Sequence, residues 1–425
     1  MKIVGIDIGT TSVCGIILDT VTGKVIKSVT QNSNAFIDEC MPYEKIQSVE
    51  IIMNKAMGIL EEFAHEGVDV IGVTGQMHGI VYTDNEGNAV SPLYTWQDER
   101  GNESYKGTTY AQFIGSPSGY GSVTDFYNRE NGIRPESAVC YMTIQDYLVM
   151  KLCSLKVPLI HETDFASFGK GVSNNKADTV SGFVLAGKWR DIPVACAIGD
   201  NQASVFSTLP EDGILVNVGT GSQVSIVSDR EIVAENVETR PYFDGKYLAV
   251  GAALCGGRAY AVLKKLYSDV FSYLSPIDDS KVYEIMADML KKSKESLKVD
   301  TRFAGTRSDK SVTGSVCGIT ESNFTPEALT LGVLKGMTEE LFLMYRDTGI
   351  TKAKLVGSGN GIRKNPYLVK TAEDMFGLKM KIPCHKEEAA CGAALYAGIA
   401  LGIFKDSKEA KRLIKYEDMR CIAPQ

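Results

Sequence analysis

Residues that build metal clusters and cross-linked scaffolds are scarce here. Four histidines (His65, His78, His161 and His385) and ten cysteines are scattered over 425 residues. No two cysteines form a C-x-x-C pair, and no histidine stands at zinc-ligand spacing from a cysteine, which excludes the common zinc modules. Thiols this sparse do not make a secreted disulfide scaffold, so a reduced, cytoplasmic setting is expected. A basic excess is missing as well: 45 Lys and Arg against 52 Asp and Glu leave a net charge of −7, with both signs interspersed. That balance argues against nucleic acid held on a positive face. The longest apolar stretch, Ala389 to Phe404, is shorter than the roughly 20 residues of a membrane span and reads as a buried Ala/Gly-rich helix. An acid already at Asp7 leaves no secretory apolar core after Met1. Neither nucleic acid nor a membrane is therefore expected as a partner.

What is present is an ordinary globular composition, 44% apolar and 23% charged, over a length that exceeds one hydrophobic core. Two domains are expected, residues 1–208 and 209–425, hinged at the polar stretch Thr208 to Gly213. Lys2–Asp7, Val13–Asp19 and Lys24–Thr30 read as a three-strand meander. Gly9-Thr10-Thr11 leads into a strand, and no G-x-G-x-x-G opens a helix, which excludes a Rossmann βα unit. Helical spacing is predicted over Tyr43–Phe63, Thr143–Leu152, Gly257–Leu274, Lys281–Leu297 and Pro326–Asp347. Strands are predicted at Val68–Thr74, Ile80–Thr83, Val194–Ile198, Lys354–Val356 and Met380–Ile382. The segment Ile6-Asp7-Ile8-Gly9-Thr10-Thr11-Ser12 has an echo at Val216-Asn217-Val218-Gly219-Thr220-Gly221-Ser222, 210 residues later (219 − 9). A half-length repeat predicts two copies of one βββαβα unit, their glycine hairpins facing one small molecule.

Four clusters can carry chemistry. The hairpins present backbone N–H groups and hydroxyls without bulk, which suits polyphosphate oxygens, while an ordinary β-turn is the plainer account of either alone. Asp7 ends an apolar strand, where a carboxylate needs a partner, and magnesium beside phosphates is a natural one. Asn217 takes the matching place in the second copy. Gly199-Asp200-Asn201-Gln202 follows a strand, so Asp200 is either a helix N-cap or a rigidly held base. Thr74 to Gly79, with Gln76, Met77 and His78, and then Trp96-Gln97-Asp98 combine polar groups with an aromatic plane, as a polyol requires. Alternatively Trp96 simply anchors a loop. Gly357-Ser358-Gly359-Asn360-Gly361, then Asn365-Pro366, then Lys386-Glu387-Glu388 through Gly392-Ala393-Ala394 bring small residues that let backbone lie flat against a planar ligand such as adenine, although tight helix packing explains Gly392–Ala394 equally well.

Taken together, these motifs resemble the FGGY family of carbohydrate kinases, within the actin-like, ribonuclease-H-like ATPase superfamily. Asp7 to Ser12 (Gly9, Thr10, Thr11, Ser12) resembles the first phosphate motif, and Gly219, Thr220, Gly221 and Ser222 the second. Gly357, Ser358, Gly359 and Asn360, through Asn365, resemble the adenosine motif. Thr74–Gly79, Leu93–Asp98, Thr143–Tyr147 and Thr163–Ser167 are similar to segments of its ketose kinases. The resemblance implies an α/β, actin-like fold with two similar domains of mixed sheets around an interdomain cleft. It also implies ATP and Mg2+, and phosphate transfer to the primary hydroxyl of a ketose, sedoheptulose ahead of xylulose. Asp200 then matches the general base, Asn201 a substrate neighbour, and Asp7 the acid that places magnesium through water. Gln76, Met77, His78, Trp96 and Asp98 fall on the sugar side. A homodimer is compatible with the sequence. One departure is the short Gly/Ser-rich stretch between Gly101 and Ala138, which bears on the choice of sugar. An actin-like ATPase without a metabolite would leave Asp200-Asn201 and Met77-His78 without a role. A catalytically dead sensor would require damage that Asp7 and Asp200 do not show.

Overall fold

A computed structural model of the chain describes all residues except 39–40, 173–174, 274–277, 307–308, 310 and 419–425. The chain forms two compact units. One contains Met1–Ser207, Pro241–Gly245 and His385–Lys415, the other Thr208–Arg240, Lys246–Cys384 and Tyr416–Gln425.

In the first unit, β1 (Lys2–Ile8), β2 (Ser12–Asp19) and β3 (Lys24–Asn32) form an antiparallel meander. Next in chain order come β4 (Ile46–Gln47), α1 (Val49–Ala64) and β5 (Val70–Gly75). β5 lies parallel to β1 and extends the sheet to Ile192–Ala195 and Leu185–Trp189. Because β1 and β5 are buried on both faces, they read as continuous apolar runs rather than alternating ones. α1 covers one face through Ile52, Ala56, Ile59 and Phe63. The helix predicted over Tyr43–Phe63 is shorter than its apolar spacing suggested. Ser48 accepts the Ile51 N–H and starts the helix there, and Ile46–Gln47 pairs instead with Leu93–Tyr94. The strand predicted over Val194–Ile198 is also split, into Ile192–Ala195 and Ile198–Gly199, both along β5.

The other face of the sheet is covered by the closing helix, Glu388–Ala400. Its small side chains let backbone meet backbone. A Cβ at Gly5 would collide with the Ala390 carbonyl, and one at Gly72 with the Ala393 carbonyl. The stretch between Gly101 and Ala138 folds into helices Tyr110–Ile114 and Gly121–Glu130 around Tyr110, Val123 and Tyr127.

The second unit repeats the plan. Its sheet runs Tyr247–Ala253, Ser222–Ser228, Gly213–Val218, Lys354–Ser358, Met380–Pro383 and Tyr416–Asp418. Register reproduces the echo. Asp7 lies beside Cys14 and Thr74, and Asn217 beside Gln223 and Ser358. Pro326–Asp347 packs its buried face (Val333, Met337, Leu341) into this core. The helix predicted over Gly257–Leu274 runs Gly256–Ser272, and Leu274 lies outside the described residues. Lys281–Leu297 is instead a helix over Asp279–Lys292 followed by a strand from Lys298.

Candidate active site

Asp7 sits near the end of β1, where the sheet delivers it beside the turn Gly9-Thr10-Thr11. Its Oδ1 is shut off from solvent and has no hydrogen-bond partner. Burial, and then the nearby charges of Asp200 and Glu387, push its carboxyl up to about 8. Asp200 opens the helix Asp200–Thr208 at the end of Ile198–Gly199, so it is the first helical residue rather than a cap outside it. Glu387, part of the fourth sequence cluster, stands just before the closing helix, and its Oε2 accepts the Cys14 thiol at 3.5 Å. Three acids from distant parts of the chain thus share one neighbourhood, and a proton or a cation there relieves their repulsion.

The strand end that carries Asp200 is held from both sides. Thr74 donates its hydroxyl to the Ile198 carbonyl at 2.7 Å, and the Gly199 N–H donates to Thr163 Oγ1 at 3.1 Å. Behind it, Gln145 Nε2 donates both to Gly75 O (3.2 Å) and to Asp164 Oδ1 (3.0 Å). Burial, with Asp146 beside it, pushes the Asp164 carboxyl well up, and burial raises Asp146 as well. On the far side, a Cβ at Gly392 of the closing helix would collide with the Ala203 carbonyl, and Ser207 Oγ donates to Glu388 O at 2.7 Å. The C-terminal segment therefore buttresses the Asp200 helix.

The loops that carry Gln76 and Trp96 meet the first hairpin. Trp96, 47% exposed, donates its indole N–H to Thr10 Oγ1 at 3.0 Å, and Thr10 Oγ1 donates to Gln76 Oε1 at 3.2 Å. A Cβ at Gly119 (φ 82°) would collide with the Trp96 carbonyl, which fixes glycine there. His78 adopts φ 73°, stacks on Tyr120 with ring centroids 4.0 Å apart, and bonds Ser167 O through Nδ1 at 2.7 Å. A carbonyl only accepts, so Nδ1 carries the proton. Met77 is buried, and a Cβ at Gly199 would meet its sulfur and methyl carbon. Asn201 is half-buried beside Asp200.

Asp98 departs from the expectation. It is 1% exposed, with Oδ1 on Arg100 Nε (2.6 Å) and Oδ2 on Arg100 Nη2 (3.1 Å) and the Lys45 N–H (3.0 Å). The fully buried Arg100 guanidinium also lies over the Tyr94 ring, and it needs that carboxylate as counter-charge. Asp98 thus frames the loop that carries Trp96.

In the second unit, the turn Gly219-Thr220-Gly221 is stitched to the start of the helix Gly256–Ser272. The Gly257 N–H bonds Gly219 O at 2.9 Å, and the Arg258 N–H bonds Thr220 O at 3.0 Å. Gly219 and Thr220 are exposed, and the buried Ser222 hydroxyl has no partner. Gly357 and Ser358 end the strand Lys354–Ser358, with the Ser358 hydroxyl likewise unpartnered, and Asn360 is exposed in the short helix Gly359–Lys364 that follows, where the sequence suggested a loop. Gly359 (φ 82°) abuts the backbone of Val218, bringing the start of this helix against the strand that precedes the turn. Asn365 caps the helix Pro366–Phe376 by accepting from Tyr367 N and Leu368 N, and it bonds Tyr260, which the sequence patterns missed.

A carboxylate cluster beside one glycine turn, and a second turn with an adjoining glycine-rich segment, fit enzymes that move phosphate onto a hydroxyl. Residues 2–112 match the N-terminal domain of the FGGY family of carbohydrate kinases, and residues 214–401 match its C-terminal domain. The chain belongs to this family and is an ATP-dependent carbohydrate kinase. It is 28% identical to a sedoheptulokinase of Mus musculus, over 92% of this chain and 96% of that one. Among solved structures, a ligand-bound xylulose kinase from Lactobacillus acidophilus superimposes with a TM-score of 0.83. That likeness covers 98% of this chain and 93% of the other at 14% identity. A Plasmodium falciparum glycerol kinase with ADP gives 0.74, over 97% and 92%, at 17% identity. These structural likenesses establish the actin-like fold.

Proposed function

We propose that this kinase phosphorylates the primary hydroxyl of a ketose, sedoheptulose first, with xylulose as the competing substrate. The observation that carries the choice is the similarity to a sedoheptulokinase over nearly the whole of both chains. Asp200 is the general base: it orients the hydroxyl and accepts its proton on a carboxylate oxygen as the oxygen bonds to phosphorus. Phosphoryl transfer is mainly positioning and charge neutralisation, so a weak base suffices when the proton leaves late. His78, Trp96, Gln76, Met77 and Asn201 form the sugar side. Gly9–Ser12 and Gly219–Ser222 bind phosphate, and Gly357–Asn360 with Asn365 bind adenosine. The family domains we assign are 1–208 and 209–425, residues 385–415 folding with the first compact unit.

Magnesium fits the acids around Asp7, because the partnerless buried Oδ1 and the raised carboxyl describe a place short of positive charge. No group of three His, Cys, Asp or Glu side chains is arranged to hold a metal among the described residues. A cation there would keep most of its waters, as magnesium does. Asp7 would hold it, and its charge would offset that of the phosphates. Among the described residues no helix is long and apolar enough to cross a membrane. A reducing, cytoplasmic setting belongs to the same reading, since ten cysteines scattered over the chain make no disulfide framework.

Asp200→Asn tests the reading. With sedoheptulose, xylulose and glycerol in an ADP-coupled assay, kcat should fall about 10²–10⁴-fold while sugar affinity stays within a few-fold. Near-normal turnover in that variant would remove Asp200 from the chemistry. Preference for glycerol over both ketoses would remove the substrate assignment.

A further inference from the structure

One residue outside every motif joins the two halves of the first unit's site. Gln47 is fully buried on β4 and pairs in register with Leu93, three residues before Trp96. Its Nε2 donates to the Thr10 carbonyl at 2.6 Å, and its Oε1 accepts from Gln76 Nε2 at 3.0 Å. Gln76, 2% exposed, returns to Thr10 through the hydroxyl contact at 3.2 Å, which closes a three-residue ring. Trp96 enters the ring at that same hydroxyl. The pattern is directional. The Thr10 carbonyl only accepts, so Gln47 must turn its Nε2 to it and its Oε1 to Gln76 Nε2; that leaves Gln76 Oε1 for the proton of the Thr10 hydroxyl, which receives the indole N–H on a lone pair.

The geometry points to Gln47 as a positioning residue that locks the first phosphate hairpin to the sugar loops, making their two arrangements one state. The inference rests on the functional reading above, in which the Gly9–Ser12 turn holds phosphate and Trp96 meets sugar. A nearly half-exposed indole gives a ligand access to one end of the network, and the Thr10 backbone sits at the other. Moving the indole disturbs the acceptor at Thr10, and with it the turn. Gln47 also braces the strand pair that delivers Trp96, so the side chain and its backbone act on the same two elements. The turn has other supports: Ser33 N donates to Thr11 O at 2.7 Å, and Ser33 Oγ to Thr10 O at 3.1 Å. Removing the Gln47 amide should therefore loosen the link without dissolving the hairpin.

The sequence holds two tryptophans, so Trp189→Phe leaves Trp96 as the sole indole reporter. In that parent, a nonhydrolysable imido analogue of ATP with magnesium should change Trp96 emission. Adding Gln47→Met should cut that change to about half or less, while the calorimetric Kd of the analogue stays within about threefold. The factor by which sedoheptulose tightens analogue binding should fall toward one. Thr10→Val, which keeps the turn's backbone, should lose the emission change too and guards against a misfolded Gln47 variant. An equal emission response with and without the Gln47 amide, or none in the parent, overturns the inference. If no ketose is phosphorylated, the substrate assignment fails, yet the emission comparison still decides the role of Gln47.

Discussion

Gly72→Ala should push the closing helix off the sheet, and the structure sets the size of the effect. The added Cβ would lie 2.5 Å from the Ala393 carbonyl carbon and 3.0 Å from Ala397 Cβ, besides colliding with the Ala393 oxygen. Carbon atoms settle at about 3.5–4.0 Å, so the helix or the strand must retreat by about 1 Å. Both offending groups at Ala393 are backbone, and no rotamer change relieves them. Overpacking of this kind costs about 1–3 kcal/mol, and rigid backbone on both sides puts Gly72 at the upper end. For a unit of about 240 residues, that lowers the unfolding transition by roughly 6–12 °C. Gly58→Ala is the control: it is exposed in α1, with nothing within 4 Å of an added Cβ, and should gain about 0.5–1 kcal/mol. Gly5→Ala meets the same helix at Ala390, so the double variant should lose less than the sum, because one retreat serves both. Differential scanning calorimetry reads all four variants against the parent. A Gly72→Ala transition within about 1 °C of the parent, or strict additivity with Gly5→Ala, would refute the packing account.

Two further outcomes follow from the charges. Asp7 holds a proton in the fold up to about pH 8, which the unfolded chain releases near the ordinary carboxylate value of 3.8. The fold therefore loses stability as pH rises through that window. Asp7→Asn, melted in chelator, should leave stability little changed at pH 4 and exceed the parent by roughly 2–3 kcal/mol at pH 8.5, after allowance for the residue's partial exposure. A gap that does not widen with pH would contradict the burial argument, and the same variant should lose magnesium-dependent turnover. Arg100→Met leaves Asp98 a buried, uncompensated charge and should cost about 3–5 kcal/mol. Asp98→Asn combined with it should recover part of that loss in urea unfolding, and no recovery would mean the pair is not coupled.

Legibility in the sequence followed locality. The strand–turn–strand of each hairpin and the helix Pro326–Asp347 announce themselves, because their turn glycines, caps and periodicity lie within the element. Asp7 stood out because an acid ending an apolar strand is costly wherever the chain goes. Gln47 and Tyr260 were invisible for the opposite reason: each owes its place to a partner far along the chain, Thr10 for Gln47 and Asn365 for Tyr260. Asp98 was read as a sugar contact because it stands beside Trp96 in a polar segment, whereas its complete burial against Arg100 is a tertiary fact. The early part of the Tyr43–Phe63 segment had helical spacing, yet the Ser48 cap and the pairing of Ile46–Gln47 with Leu93–Tyr94 prevailed over it.

The return of His385–Lys415 to the first unit has a consequence for biosynthesis. At about 5–20 residues per second, a ribosome needs roughly 10–35 s after Ser207 to reach His385. Through that interval Gly5 and Gly72 have no helix to rest against, and one whole face of the nascent sheet is bare. For those seconds the apolar face that Glu388–Ala400 will cover stays open to water, and a chain cut before residue 388 never gains that cover.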